Sequence, residues 1–141
     1  MSKKRTYSFE AGIGASVTGE ALVASDNFSA RYDLDRIRGV FSRRSHQLYG
    51  QSYVGKILVL NTAKGGVATA WMLLDMVERG MAPAALVLNL TNPILAQGAA
   101  FAALPLVHDF AVDITLCIET GDQLSIFPEE GLLIQESTVG T

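Results

Sequence analysis

Apolar positions along the chain change their pattern twice, and the changes divide it into an edge, a centre and a tail. Residues 6–25 alternate weakly and predict one or two short strands, the better being Gly19-Glu20-Ala21-Leu22-Val23-Ala24. Residues 26–55 are polar, aromatic and basic with little periodicity, which predicts a long excursion. Loops of that length in compact domains tend to be functional or mobile. In the centre, Lys56-Ile57-Leu58-Val59-Leu60 reads as a strand buried on both faces. Asn61 to Gly66 is a turn, and Val67 to Arg79 a helix with Val67, Ala70, Trp71, Leu74 and Val77 on its apolar face. Gly80 stands where a helix stops. Ala84–Leu90 is a second buried strand. Asn92 as N-cap and Pro93 at the first helical position start a helix to about Ala103, and Pro105-Leu106-Val107 begins a third strand. In the tail, Asp113–Ile118 and Gln123–Phe127 alternate, with turns at 119–122 and 128–131, and Leu132–Gln135 closes. That is the pattern of antiparallel hairpins.

The sum is an α/β fold: a small parallel core from a strand–helix–strand–helix–strand run, with added antiparallel strands. The 141 residues suit a single domain over 1–141, with frayed ends at about 1–6 and 136–141.

Composition narrows the chemistry. Apolar residues make up 49% of the chain and charged ones 18%, enough to bury a core. The single cysteine, Cys117, excludes an internal disulfide framework or a multi-cysteine zinc or iron–sulfur site. The two histidines, His46 and His108, lie far apart in sequence, so no metal site is expected on this chain. Neither Ala82–Leu90 nor Ile94–Leu106 offers the roughly 20 apolar residues of a membrane span. No apolar stretch follows the basic N-terminus as in a signal peptide. The reading is a cytoplasmic protein without a membrane or nucleic-acid partner. Charge is unevenly spread: all 11 Lys and Arg lie in residues 1–79, and Arg31, Arg36, Arg38, Arg43 and Arg44 crowd the excursion. Such a segment in an acidic chain is either a solvated loop or a place for a local anionic partner.

The strongest candidate chemistry is Lys64-Gly65-Gly66, between the end of a strand and the start of a helix. Helix N-termini present unpaired N–H groups and a positive dipole end, glycines admit a ligand close to the backbone, and Lys64 adds charge. It is not a P-loop, because the Gly-x-x-x-x-Gly-Lys-Ser/Thr order is absent. Thr69 adds a hydroxyl on the first helical turn, where capping is its ordinary role. Other positions read as structural: His46 a loop histidine, His108 with Asp109 a hydrogen-bonded pair, and Cys117 a buried residue in a strand. Asp33 and Asp35 would pair locally with Arg31 and Arg36, and Asn89, Thr91 and Asn92 lie where a ligand could be oriented.

Several blocks in order carry a family resemblance. They are Gly19–Val23, His46-Gln47-Leu48-Tyr49-Gly50-Gln51-Ser52-Tyr53-Val54-Gly55-Lys56-Ile57-Leu58-Val59-Leu60, Gly80–Ala85, Pro93–Ala99, and Gly121-Asp122. Over roughly Gly19 to Gly131 the chain resembles the small subunit, or swivel domain, of aconitase X. The resemblance implies a swivelling β/β/α domain that works with a large catalytic aconitase X-type subunit. Iron or an iron–sulfur cluster would sit on that partner, with no cofactor on this chain. The substrate would be a small hydroxy-carboxylate, hydroxyproline-like or phosphorylated mevalonate-like, that loses water.

The family loop reads Gly-Arg-Gly-Ser, with one serine taken as proton acceptor. Here the aligned residues are Ala63-Lys64-Gly65-Gly66-Val67-Ala68-Thr69. Gly66 takes the serine's place, and Thr69 is the nearest hydroxyl. Lys64 keeps the charge of the arginine without its planar fork. The family's Ser-Phe-Trp-Gly-Gly-Val-Asp segment becomes Ser29-Ala30-Arg31-Tyr32-Asp33-Leu34-Asp35. The resemblance thus names Lys64, Gly65, Gly66, Ser29 and Arg31 as substrate-binding and Thr69 as the catalytic candidate. The alternative is a non-catalytic anion-binding or regulatory module of a two-subunit complex.

Overall fold

The computed structural model describes residues 2–138. Seven strands close into a barrel: β1 (Ser2–Ile13), β2 (Val17–Val23), β5 (Ile57–Thr62), β6 (Ala85–Leu90), β7 (Leu106–Phe110), β8 (Gln123–Phe127) and β9 (Leu132–Thr138). Around the barrel the order is β1-β7-β6-β5-β2-β8-β9. The pairs β2–β5, β5–β6 and β6–β7 are parallel, and the remaining pairs are antiparallel. This is the expected α/β architecture, a parallel core extended by antiparallel strands. Helices α1 (Val67–Glu78) and α2 (Pro93–Phe101) are the crossovers between β5, β6 and β7. A two-residue ladder, β3 (Leu34–Asp35) against β4 (Val40–Phe41), lies in the excursion.

Strand alternation explains the two cores. Successive side chains point to opposite faces. Ile57 and Val59 of β5 therefore join Ala85, Val87, Val107, Leu124, Ile126 and Leu133 inside the barrel. Leu58 and Leu60 face the other way and join Leu86, Leu88 and Leu106 beneath α1, α2 and the excursion. Ile57 to Leu60 are all 0% exposed, which is why this stretch reads as a continuous apolar run.

Four expectations need correction. The chain start is one long strand: Ser2–Ser8 pairs with β9, and Phe9–Ile13 pairs with β7. Residues 2–6 and 136–138, expected to fray, are thereby held in the β1–β9 ladder, Ser2–Thr6 against Ile134–Thr138, while 1 and 139–141 lie outside the described residues. Residues 113–118 form no strand, but a short 3-10 turn at Ile114–Leu116 capped by Asp113, whose carboxylate accepts from the Thr115 N–H at 3.0 Å. Cys117 ends that turn and is half-buried.

Helix α1 also turns a different face inward. Thr69, Leu73 and Met76 are buried, while Val67 and Trp71 are 61% and 59% exposed. Apolar residues surround most of α1, so helical spacing alone fits more than one inward face. The sheet decides it: Leu73 and Met76 join Leu58, Leu60, Leu86 and Leu88 in the core, while Ala70 packs sideways on α2, where a Cβ on Gly98 would lie 2.6 Å from its own.

Candidate functional site

Beyond β5 the chain is held in place by backbone bonds from two directions. The Ala63 N–H donates to the Leu90 carbonyl at 3.2 Å, and the Lys64 N–H donates to the Phe28 carbonyl at 2.8 Å. Phe28 and Ala63 form an isolated parallel bridge, which brings the start of the excursion against the loop. Gly65 has φ +116°, and a side chain there would collide with Thr69. The Asn92 side chain donates to the Gly65 carbonyl at 3.3 Å and accepts from the Leu95 N–H at 2.8 Å, so the α2 N-cap also tethers this loop. Gly66 is the N-cap of α1 and supplies no side-chain acceptor. The first N–H groups of α1 therefore keep their dipole end open.

The excursion is organised by buried polar groups. Asp33 is 1% exposed. One carboxylate oxygen accepts from the Arg43 guanidinium at 3.1 Å, and the other from the Ser29 N–H at 2.9 Å. The Ser42 N–H donates to the Asp33 carbonyl at 2.8 Å. Arg43 also donates from Nε to the Ser45 hydroxyl at 3.1 Å. His46 is buried and stacked on Phe41. Its Nδ1 accepts from the Leu48 N–H at 3.1 Å, which leaves the proton on Nε2, 2.8 Å from the Asn27 carbonyl. Both ring nitrogens are thus committed to the backbone, so His46 lies in a loop as expected but is a buried strut of it, not a surface histidine. The Asp26 carboxyl lies below its ordinary value: burial pushes it up, but N–H bonds from Asn27 and Gln47, with His46 and Arg43 nearby, outweigh that.

These groups meet in one cavity of about 140 Å³. Lys64 lines it from the loop, and Ser29, Asp33, Arg43 and His46 line it from the excursion. The structure so brings together Lys64 and Ser29, two expected residues from separate parts of the chain. Gly65 and Gly66 are exposed beside them at the helix start. Arg31 is not among the lining residues; it is exposed, with its guanidinium carbon 5.3 Å from the Tyr32 ring centroid. Thr69 is 2% exposed beneath Gly65, turned from solvent. The expected Asp33–Arg31 pair is replaced by Asp33–Arg43, and Asp35 accepts from the Ile37 and Arg38 N–H groups at 3.1 Å. Sequence reading missed Arg43, because nothing periodic distinguishes it from its four neighbouring arginines.

The ends of the parallel strands carry a second polar network. Asn89 donates to Asn61 at 3.0 Å and to Asp113 at 2.8 Å, and it accepts from the Ile114 N–H at 2.9 Å. Hydrogen bonds from the Thr115 hydroxyl and from Asn89 hold the Asp113 carboxyl below its ordinary value. Asn89 thus secures the 3-10 turn. His108 Nδ1 lies 3.2 Å from the Asp109 carboxylate, without the geometry of a hydrogen bond. Among the described residues no group of three or more His, Cys, Asp or Glu could hold a metal ion. Among them no helix is long and apolar enough to cross a membrane.

Comparison with known proteins adds identity to this geometry. The family model for the aconitase X swivel domain matches residues 7–135. The phosphomevalonate dehydratase small subunit of Methanopyrus kandleri is 33% identical over 112 residues, covering 79% of this chain and 83% of that one. That of Archaeoglobus fulgidus is 33% identical over 113 residues, covering 80% and 85%. A crystal structure of Thermococcus kodakaraensis aconitase X in its holo-form has the same fold, with a TM-score of 0.85 over 93% of this chain and 98% of that one, at 23% identity.

Proposed function

Because the chain belongs to the aconitase X swivel-domain family, we propose that it is the small subunit of a hydro-lyase that dehydrates a small phosphorylated hydroxy-carboxylate together with a large subunit. The reaction removes a hydroxyl and a proton from adjacent carbons, forms a C=C bond and releases water. The observation that carries this reading is the meeting of Lys64 and Ser29, from two separate elements, in one cleft beside the open N-terminus of α1. Ammonium, hydroxyl and helix N–H groups together suit the anionic end of such a substrate. The names of the relatives favour a phosphorylated mevalonate over a hydroxyproline.

The two subunits divide the labour. Iron or an iron–sulfur cluster belongs on the large subunit, where it would act as Lewis acid toward the leaving hydroxyl. This chain binds and orients the anion and helps to exclude water. Thr69, buried beneath Gly65, does not serve as the base. With glycine at position 66, the proton is taken by a group of the large subunit or through the Ser29 hydroxyl, which lines the cleft. Its single half-buried cysteine suits a reducing cytoplasm.

Co-expression with an adjacent large-subunit gene tests this reading. A stable complex that converts mevalonate 5-phosphate to its dehydrated product supports it. A complex without turnover of that compound refutes the substrate assignment. The glycine at position 66 favours a second reading, a non-catalytic anion-binding module. That reading requires phosphate binding in the complex with no dehydration of any hydroxy acid.

A further inference from the structure

The cleft holds a cation that neither the loop nor the family resemblance supplies. Arg43 comes from the excursion and Lys64 from the β5–α1 loop. Two of the guanidinium nitrogens are engaged, Nη1 by Asp33 and Nε by Ser45, which fixes the plane of the group. The Asp33 side chain is 2% exposed and that of Arg43 is 56% exposed, so the acid is buried while the guanidinium it holds stays accessible to solvent. A buried acid that aims an arginine outward leaves the free edge of its fork for an incoming anion. Asp26, the other carboxylate lining the cleft, already accepts from the Asn27 and Gln47 N–H groups. The volume of about 140 Å³ is below that of a site enclosing a whole small molecule, and fits one anionic group.

We infer that Arg43 and Lys64 form a two-cation clamp for the phosphoryl end of the substrate, with Asp33 as the positioning residue that aims Arg43. The inference rests on the hydro-lyase reading for the identity of the substrate, but not for the presence of the clamp. Two cations from separate elements match a dianion better than a single carboxylate. The clamp also makes Arg43, in place of Arg31, the excursion's contact with substrate.

The test uses the two-subunit complex with mevalonate 5-phosphate as substrate and inorganic phosphate as competitor. Arg43→Gln should raise KM and the inhibition constant of phosphate together by roughly 10- to 100-fold, the range for hydrogen bonds to charged groups, with a smaller change in kcat. Arg43→Lys should restore part of the loss. Asp33→Asn keeps both cations but loosens the aim, and should raise the phosphate inhibition constant less than Arg43→Gln does. An unchanged phosphate inhibition constant in Arg43→Gln overturns the clamp. So does a fall in kcat alone. If the complex shows no dehydration, phosphate titration of the isolated full chain by NMR decides instead. Shifts at Ser29 and Lys64 that vanish in Arg43→Gln support the clamp, and their absence in the unsubstituted chain overturns it.

Discussion

Leu58 in β5 and Asp33 in the excursion are buried to the same degree, at 0% and 1% exposure, yet they are held inside by opposite means. Leu58 is surrounded by Leu60, Leu86, Leu88 and their neighbours, and its burial is favourable in itself. Asp33 would be costly to bury, and only the Arg43 guanidinium and surrounding N–H groups make its position tenable. The barrel is therefore a matter of area and volume. The excursion is a matter of matched donors and acceptors. The cleft lies where the two meet, because Phe28 pins the excursion to the end of β5.

The sharpest way to break this contrast is to remove volume from the barrel. Leu58→Ala should cost about 2–5 kcal/mol, read as a lowered denaturation midpoint, with every amide affected. His46→Ala should cost about 1–3 kcal/mol, since it strips partners from the Leu48 N–H and the Asn27 carbonyl. Its signature is regional: hydrogen exchange should rise at 26–53 well before it rises in β5 and β6. Exchange that rises equally in both regions would sink the idea that they are held separately.

Tyr53 inverts the rule, for its hydroxyl is buried in the excursion without a partner. Tyr53→Phe should leave stability unchanged or raise it by about 1 kcal/mol. Burial pushes the phenol up from 10.0 to about 12. A folded-state value above the unfolded one means a contribution that is complete below about pH 10 and lost as pH rises through about 12. The phenylalanine variant should lack that alkaline loss in a pH series of thermal melts.

The smallest expected change in stability is Gly66→Ser, within about 0.5 kcal/mol, because φ at this position is −119° and a Cβ there meets nothing within 4 Å. It places a hydroxyl at the N-cap of α1, two residues from Lys64. In the two-subunit complex it should raise kcat without changing the midpoint. A large destabilisation would show that the loop is not open as described.

Legibility followed the same divide. Ile57–Leu60 and Ala85–Leu88 were readable because strand stretches covered on both faces leave continuous apolar runs. The Asn92-Pro93 start of α2 was readable because its cap is local, one side chain to a backbone N–H three residues on. The inward face of α1 was not, since apolar residues lie nearly all round it and packing of Leu73 and Met76 on the sheet decides between them. Nor was β1, whose Lys3, Lys4 and Arg5 are exposed, and whose strand character comes from pairing with β9 at the far end of the chain. In the cleft, Lys64 and Gly65 stood out by their place before a helix, whereas Arg43 is one arginine among five until Asp33 selects it.

By itself the sequence determined the parallel βαβ centre and the loop that opens α1, because short-range periodicity, capping and glycine placement act over a few residues. The closure of the barrel and the cavity were decided only in three dimensions. Closure needs Ser2 to meet Thr138, and the cavity needs Asp33, Arg43 and His46 to find donors and acceptors across the excursion. Buried hydrogen bonds are specified by geometry, and residue type alone does not record which partner each group will take.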